Sequence, residues 1–175
     1  MEASTDMPYD LKGFVSVGDW VYVGEALSRV TDEDQNVIST SSSDVDGGKV
    51  GDAAQFTAGL GIDLQLAERL SMDSDIRFYD NLYADVGAVK ENLKVPSYHV
   101  VDMGMSYKMY VGEDGNSLNI RLNVNNVMDN VYINELRTNI AAGDGTGVLY
   151  DGIDTANQGY FGMGRTWNVG LRYKF

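Results

Sequence analysis

Residues 117–127 read SLNIRLNVNNV, and their reading decides the fold. Leu118, Ile120, Leu122 and Val124 fall on one side of an extended chain, and Asn119, Arg121, Asn123 and Asn125 on the other. A strand alternates its side chains with period two, whereas a helix would space its apolar residues three or four apart. The stretch therefore predicts a strand with one oily face and one polar face. The same rhythm recurs on both sides of it. At the C-terminus, RTWNVGLRYKF sets Trp167, Val169, Leu171, Tyr173 and Phe175 against Thr166, Asn168, Gly170, Arg172 and Lys174. Residues 55–66 set Phe56, Ala58, Leu60, Ile62, Leu64 and Leu66 against Gln55, Thr57, Gly59, Gly61, Asp63 and Gln65. In 70–79, Leu70, Met72, Ile76 and Phe78 oppose Ser71, Asp73, Asp75, Arg77 and Tyr79. In 97–109, Val101, Met103, Met105, Tyr107 and Met109 oppose Asp102, Gly104, Ser106 and Lys108. A less regular strand is expected over residues 11–24.

The connections fall into two classes that alternate along the chain. Short ones lie near 6–10, 67–69 and 111–116, and long ones near 31–52, 80–96 and 131–163. Residues 31–52 and 141–157 are acidic, rich in Ser and Gly and without period, and they read as loops. The expectation is an all-β fold: an antiparallel up-and-down meander of about six strands.

Composition narrows the function. The 175 residues include no Cys, which removes disulfides, thiolate zinc sites and Cys nucleophiles. Asp plus Glu number 26 against 13 Lys plus Arg, a net charge of −13, so the basic footprint of a nucleic-acid binder is absent. No apolar run is long enough for a spanning helix. A membrane β-barrel escapes that test, because alternation averages out as polar. Three features favour a membrane barrel over a soluble sandwich. Short turns at one end and long loops at the other are the barrel pattern. Strands of ten or more residues suit a tilted bilayer crossing better than an ordinary sheet. Aromatics bracket the oily face, with Phe56, Phe78 and Trp167 toward the long loops and Tyr107, Tyr173 and Phe175 toward the short turns, as two interfacial girdles. The polar face, with Asp63, Asp73, Asp75, Arg77, Asn119, Arg121, Asn123 and Asn125, would then line a lumen.

Residues 118–139, LNIRLNVNNVMDNVYINELRTN, resemble the penultimate strand of TonB-dependent outer-membrane receptors, and 159–175, GYFGMGRTWNVGLRYKF, their closing strand. The last eight residues resemble the signal read by the barrel-assembly machinery, carried here by Asn168, Gly170, Tyr173 and Phe175. VPSYHVVDMGMSYKM (95–109) and KVGDAAQFTAGLGID (49–63) are similar to the same family, the latter with the flavour of Bacteroidota receptors, which include SusC-like glycan importers. The resemblance implies that the chain is the C-terminal portion of a 22-stranded transmembrane barrel. On that reading the plug domain, TonB box, signal peptide and earlier strands of such a receptor are expected to lie outside the 175 residues. It also implies energised uptake of a nutrient (glycan, peptide, siderophore or similar) in the Gram-negative outer membrane. The implied partners are outer-membrane lipid, the assembly machinery, the plug, TonB and a surface lipoprotein, with no enzymatic activity and no nucleic acid. A six-stranded sheet in lipid would leave two open edges. Each unpaired backbone group there costs several kcal/mol, so further strands, other copies or a barrel partner are expected.

Other motifs carry weaker readings. Asp32, Asp34 and Asn36 have calcium-loop spacing, but Val37 and Ser43 stand where that loop requires Gly and Glu. Asp44, Asp46, Asp144, Asp151 and Asp154 offer looser calcium ligands, against a plain solvated loop. Gly143, Gly145 and Gly147 precede no helix, so they read as a loop and not a phosphate cradle. His99, the only His, cannot build a catalytic dyad or a His-based metal cluster, and it is expected near a strand start. The rival function is a self-contained small outer-membrane protein or a soluble ligand-binding β-barrel.

Overall fold

A computed structural model describes residues 9–112 and 115–175. It is all-β among the described residues. In chain order the strands are β1 (Tyr9–Val17), β2 (Glu25–Thr31), β3 (Val37–Asp44), β4 (Phe56–Ala67), β5 (Leu70–Asp80), β6 (Leu82–Tyr83), β7 (Lys94–Val95), β8 (Tyr98–Val111), β9 (Asn116–Asn125), β10 (Ile133–Leu136), β11 (Leu149–Tyr150), β12 (Ile153–Asp154), β13 (Gly159–Phe161) and β14 (Thr166–Lys174). Six of them form one sheet in the order β1-β4-β5-β8-β9-β14. Every neighbour is antiparallel, so the sheet is the expected meander. Among the described residues it is open: β1 and β14 each present an unpaired edge.

The register carries each strand's period across the sheet. Leu64 pairs with Met72, Met72 with Met105, Met105 with Leu122, and Leu122 with Val169. One face is oily from edge to edge. It is not covered by any other part of the described chain: Leu60 is 51% exposed, Leu171 69% and Trp167 71%. The six strands run 9 to 14 residues, within reach of a tilted bilayer crossing.

Both described short turns lie at one end. Gln65 Nε2 reaches back to the Leu70 carbonyl at 3.2 Å across the β4–β5 turn. Gly112 and Gly115 take positive φ, 74° and 78°, in the β8–β9 turn. Glu113 and Asp114 lie outside the described residues, as does most of the predicted turn near 6–10.

The first strand is shorter than expected. It stops at Val17, and the predicted part from 18 to 24 leaves the sheet. The chain there continues in an irregular ladder against 48–55: Gly18 N–H donates to Gln55, Tyr22 N–H to Gly48 and Val50 N–H to Trp20. Gly47, Gly48 and Gly51 interrupt the regular pleat. Gly48 and Gly51 pack so closely on the backbone of Val89 and Ala84 that no Cβ fits. The predicted loop over 31–52 is also corrected, because its middle is β3, paired with β2 as an outer hairpin. Ser and Thr in VISTSSSD conceal a strand that no oily period marks. The 141–157 loop likewise contains the small β11–β12 hairpin.

Most burial lies in the long connections rather than the sheet. Leu82, Ala84, Val95, Ile133, Leu136 and Ile153 form one core, drawn from the 81–97 and 126–165 loops, with Ala54 of the first loop packed against it. The three long loops thus make a packed outer layer over one end of the sheet.

Candidate functional site

The polar face holds the sheet's charged side chains, apart from Asp80 at the end of β5. Lys12 Nζ lies 2.9 Å from Asp63 and 3.2 Å from Asp10. Arg121 Nη2 donates to Asp73 at 2.9 Å, its Nε to Asn123 Oδ1 at 2.7 Å and its Nη1 to Ser106 at 3.3 Å. Arg77 donates to Asp102. Asn123 and Asn168 are bonded at 2.9 Å, and Asn125 donates to Thr166 at 3.1 Å. By register Asp63, Asp73, Asp75 and Arg77 share a face, and the ion-pair partners of Asp63, Asp73 and Arg77 come from other strands. Asp75 stands opposite Asp102 in register, and it has no ion-pair partner among the described residues.

Gly104 explains how the pair between β5 and β9 is made. It sits on β8 between Asp73 on β5 and Asn123 on β9. A Cβ there would lie 2.5 Å from Asp73 Oδ2 and 2.6 Å from Arg121 Nη2. The Asp73–Arg121 pair crosses directly over the bare backbone. Gly59 leaves similar room for the Phe14 ring, which lies on the polar face.

Toward the outer layer the polar face turns aromatic. Tyr79 stacks on Tyr98 with ring centroids 4.9 Å apart, and Tyr98 on Tyr132 at 4.1 Å. His99 is exposed at the outer end of β8, where its carbonyl accepts from Asn130 Nδ2 at 3.0 Å. Sequence reading missed this stack, together with Lys12 and Asn126, and it placed Asp102 on the polar face without giving it a role. Asn126 could have been flagged only as the second Asn of a pair at a strand end, where a left-handed residue is common.

Asp32 and Asp154 serve the structure of their own loops. Asp32 Oδ1 accepts the backbone N–H of Asp34 at 3.0 Å and of Asn36 at 2.8 Å, closing the β2–β3 turn. Asn36, through its side chain and then its backbone N–H, holds the Asp32 carboxyl below the usual range. Asp154 is 1% exposed. The Gly-rich run wraps it: its oxygens accept N–H donors from Ala156 and Thr146 at 2.9 Å, Gly147 at 3.0 Å and Gly143 at 3.3 Å, plus the Thr146 hydroxyl at 3.0 Å. The Ala156 N–H, then Thr146 and Gly147, hold its carboxyl well below the ordinary carboxylate range against the opposing effect of burial. Asp154 is thus saturated by donors and not free to bind a cation. Among the described residues no cluster of three or more His, Asp or Glu is arranged to hold a metal.

The oily face points the other way and carries aromatics near both ends. Phe56 and Phe78 meet edge to face at 6.0 Å near the outer layer. Tyr173 and Phe175 lie 6.3 Å apart at the short-turn end. An uncovered oily face of this extent on a long-stranded, open meander needs an apolar solvent. The family model described as "TonB dependent receptor-like, beta-barrel" matches residues 2–127. The chain belongs to this family. No curated protein and no solved structure matches it. The family is one of outer-membrane receptors and transporters. The match ends just after β9. The resemblance of 159–175 to the family's closing strand thus lies beyond the matched residues.

Proposed function

We propose that the six-stranded sheet is barrel wall from the C-terminal portion of a receptor for energised nutrient uptake. Its oily face meets lipid and its polar face meets the lumen. The observation that carries this reading is the register: every oily residue from Leu64 to Val169 in one row lands on one uncovered face. Asp63, Asp73, Asp75, Arg77, Asn119, Arg121, Asn123 and Asn125 then face a plug, supplied by the intact receptor and remodelled by TonB. The unpartnered carboxylate of Asp75 suits a basic group on that plug. Phe56, Phe78, Trp167, Tyr107, Tyr173 and Phe175 sit at the two lipid interfaces, where an amphipathic ring is favoured. Asn168, Gly170, Tyr173 and Phe175 serve barrel assembly, and β14 offers the edge that further strands close. The nutrient is a glycan or peptide in the manner of Bacteroidota receptors, and a surface lipoprotein is the accessory partner. The resemblance of 49–63 supports that finer assignment.

The test uses the absence of Cys from the chain. Single Leu122→Cys and Asn123→Cys variants, labelled with a small fluorophore in membranes, should differ. The Leu122 label is quenched by nitroxide lipids and the Asn123 label by aqueous iodide. The reverse pattern, or aqueous quenching of both, overturns the reading.

A further inference from the structure

We propose that Asp102 is a latch through which the polar face of the wall sets the posture of the 126–165 outer loop. The proposal rests on the reading of that face as lumenal. One carboxylate oxygen of Asp102 takes the Arg77 guanidinium, and the other accepts the backbone N–H of Asn126 at 2.8 Å. Asn126 is the first residue after β9, 2% exposed and left-handed at φ 50°. Its Oδ1 accepts the Asn130 N–H at 3.0 Å, and its Nδ2 donates to the carbonyls of Asn130 at 2.9 Å and Met163 at 3.2 Å. Both legs of the loop are gathered on this residue, and Asp102 holds its backbone. A second clamp lies beside it, where the Tyr132 ring is held between Tyr98 and Gly162, a position with no room for a Cβ. The loop carries Ile133, Leu136 and Ile153 of the outer core, so a movement of its root is passed to the whole outer layer.

The latch is electrostatically poised. Asp75 and Asp102 oppose each other across β5 and β8, and facing like charges are unfavourable. Arg77 offsets that repulsion, yet its Nε is buried with no acceptor. A cleft of about 410 Å³ separates this wall from the loop's root, lined by Arg77, Asp102, Asn125, Tyr132, Asn134 and Thr166 among others. An anionic group entering the cleft competes for Arg77 and leaves Asp102 facing Asp75 uncompensated. Asp102 then swings away, and its bond to Asn126 is lost. Occupancy on the lumenal side is thereby converted into release of an outer loop.

Spin labels at Val148→Cys on the loop and Glu68→Cys on the β4–β5 turn report the posture in the membrane-inserted protein by pulsed dipolar spectroscopy. Both positions are exposed. The unaltered latch should give a narrow distance distribution. Arg77→Gln and Asp102→Ala should each lose the narrow component, and the double variant should be no broader than either single one. Arg121→Gln, which breaks the neighbouring pair with Asp73, should stay narrow. A narrow distribution in Arg77→Gln, or an equal broadening in Arg121→Gln, overturns the latch. Should Arg77→Gln fail to assemble, Asn126→Gly keeps the left-handed backbone while removing the staple. It too must lose the narrow component, and a narrow distribution there refutes the proposal. Failure of the lumenal reading shows separately, in the quenching of labels at Leu122 and Asn123.

Discussion

Gly104→Ala is a change of one methyl group whose sign depends on an ion pair two strands wide. In a strand interior, Ala for Gly stabilises by about 0.5–1 kcal/mol through the unfolded chain's entropy. At Gly104 the added Cβ would lie 2.5 Å from Asp73 and 2.6 Å from Arg121. Their pair must move aside, and the bonds from Arg121 to Asn123 and Ser106 are disturbed with it. The side chains of Asp73 and Arg121 are 28% and 43% exposed, so the pair itself is worth no more than about 1 kcal/mol. Adding the disturbed charged hydrogen bonds brings the loss to roughly 1.5–2 kcal/mol. The net expectation is a destabilisation of about 1 kcal/mol, and in an Asp73→Ala, Arg121→Ala background a stabilisation of about 0.5–1 kcal/mol. Denaturant unfolding of the protein inserted in micelles, followed by the fluorescence of Trp20 and Trp167, measures both arms. Equal effects of Gly104→Ala in the two backgrounds would refute the idea that this glycine exists to let the pair cross.

Two further predictions concern the outer layer. Asp154 has a depressed folded pKa, so its contribution to stability is present above the unfolded carboxylate value near 4 and is lost as pH falls through the lower folded value. Hydrogen exchange at Thr146, Gly147 and Ala156 should accelerate only in that acid window, and Asp154→Asn should remove the dependence. Leu136 is 2% exposed in the outer core, and Leu136→Ala should destabilise that layer by about 2–5 kcal/mol. Protease nicking should then rise in the 81–97 and 126–165 loops while amide protection in β4, β5, β8 and β9 stays unchanged. Equal loss of protection in the sheet would show that layer and wall unfold together.

The wall was legible because a pleated strand makes its environment periodic. The alternation in 56–66 and 118–125 names the face of each residue without knowledge of any neighbour, and the register kept those assignments. The first strand failed beyond Val17 because VGDWVYVG alternates only loosely, and its partner there, 48–55, is irregular. β3 escaped notice because neither of its faces is buried, and burial is what writes a period into a sequence.

Sequence alone determined that this chain forms long antiparallel strands with one oily face, since period two is a local property of the backbone. Only the tertiary structure decided which charges meet. Asp73 and Arg121 are 48 residues apart, and nothing links them until three strands lie side by side over Gly104. The outer core was equally invisible, because its members come from separate loops and share no rhythm. Their burial depends on where the loop ends are pinned, by Asn126 and by the stack of Tyr79, Tyr98 and Tyr132, which is set by distance through space and not along the chain.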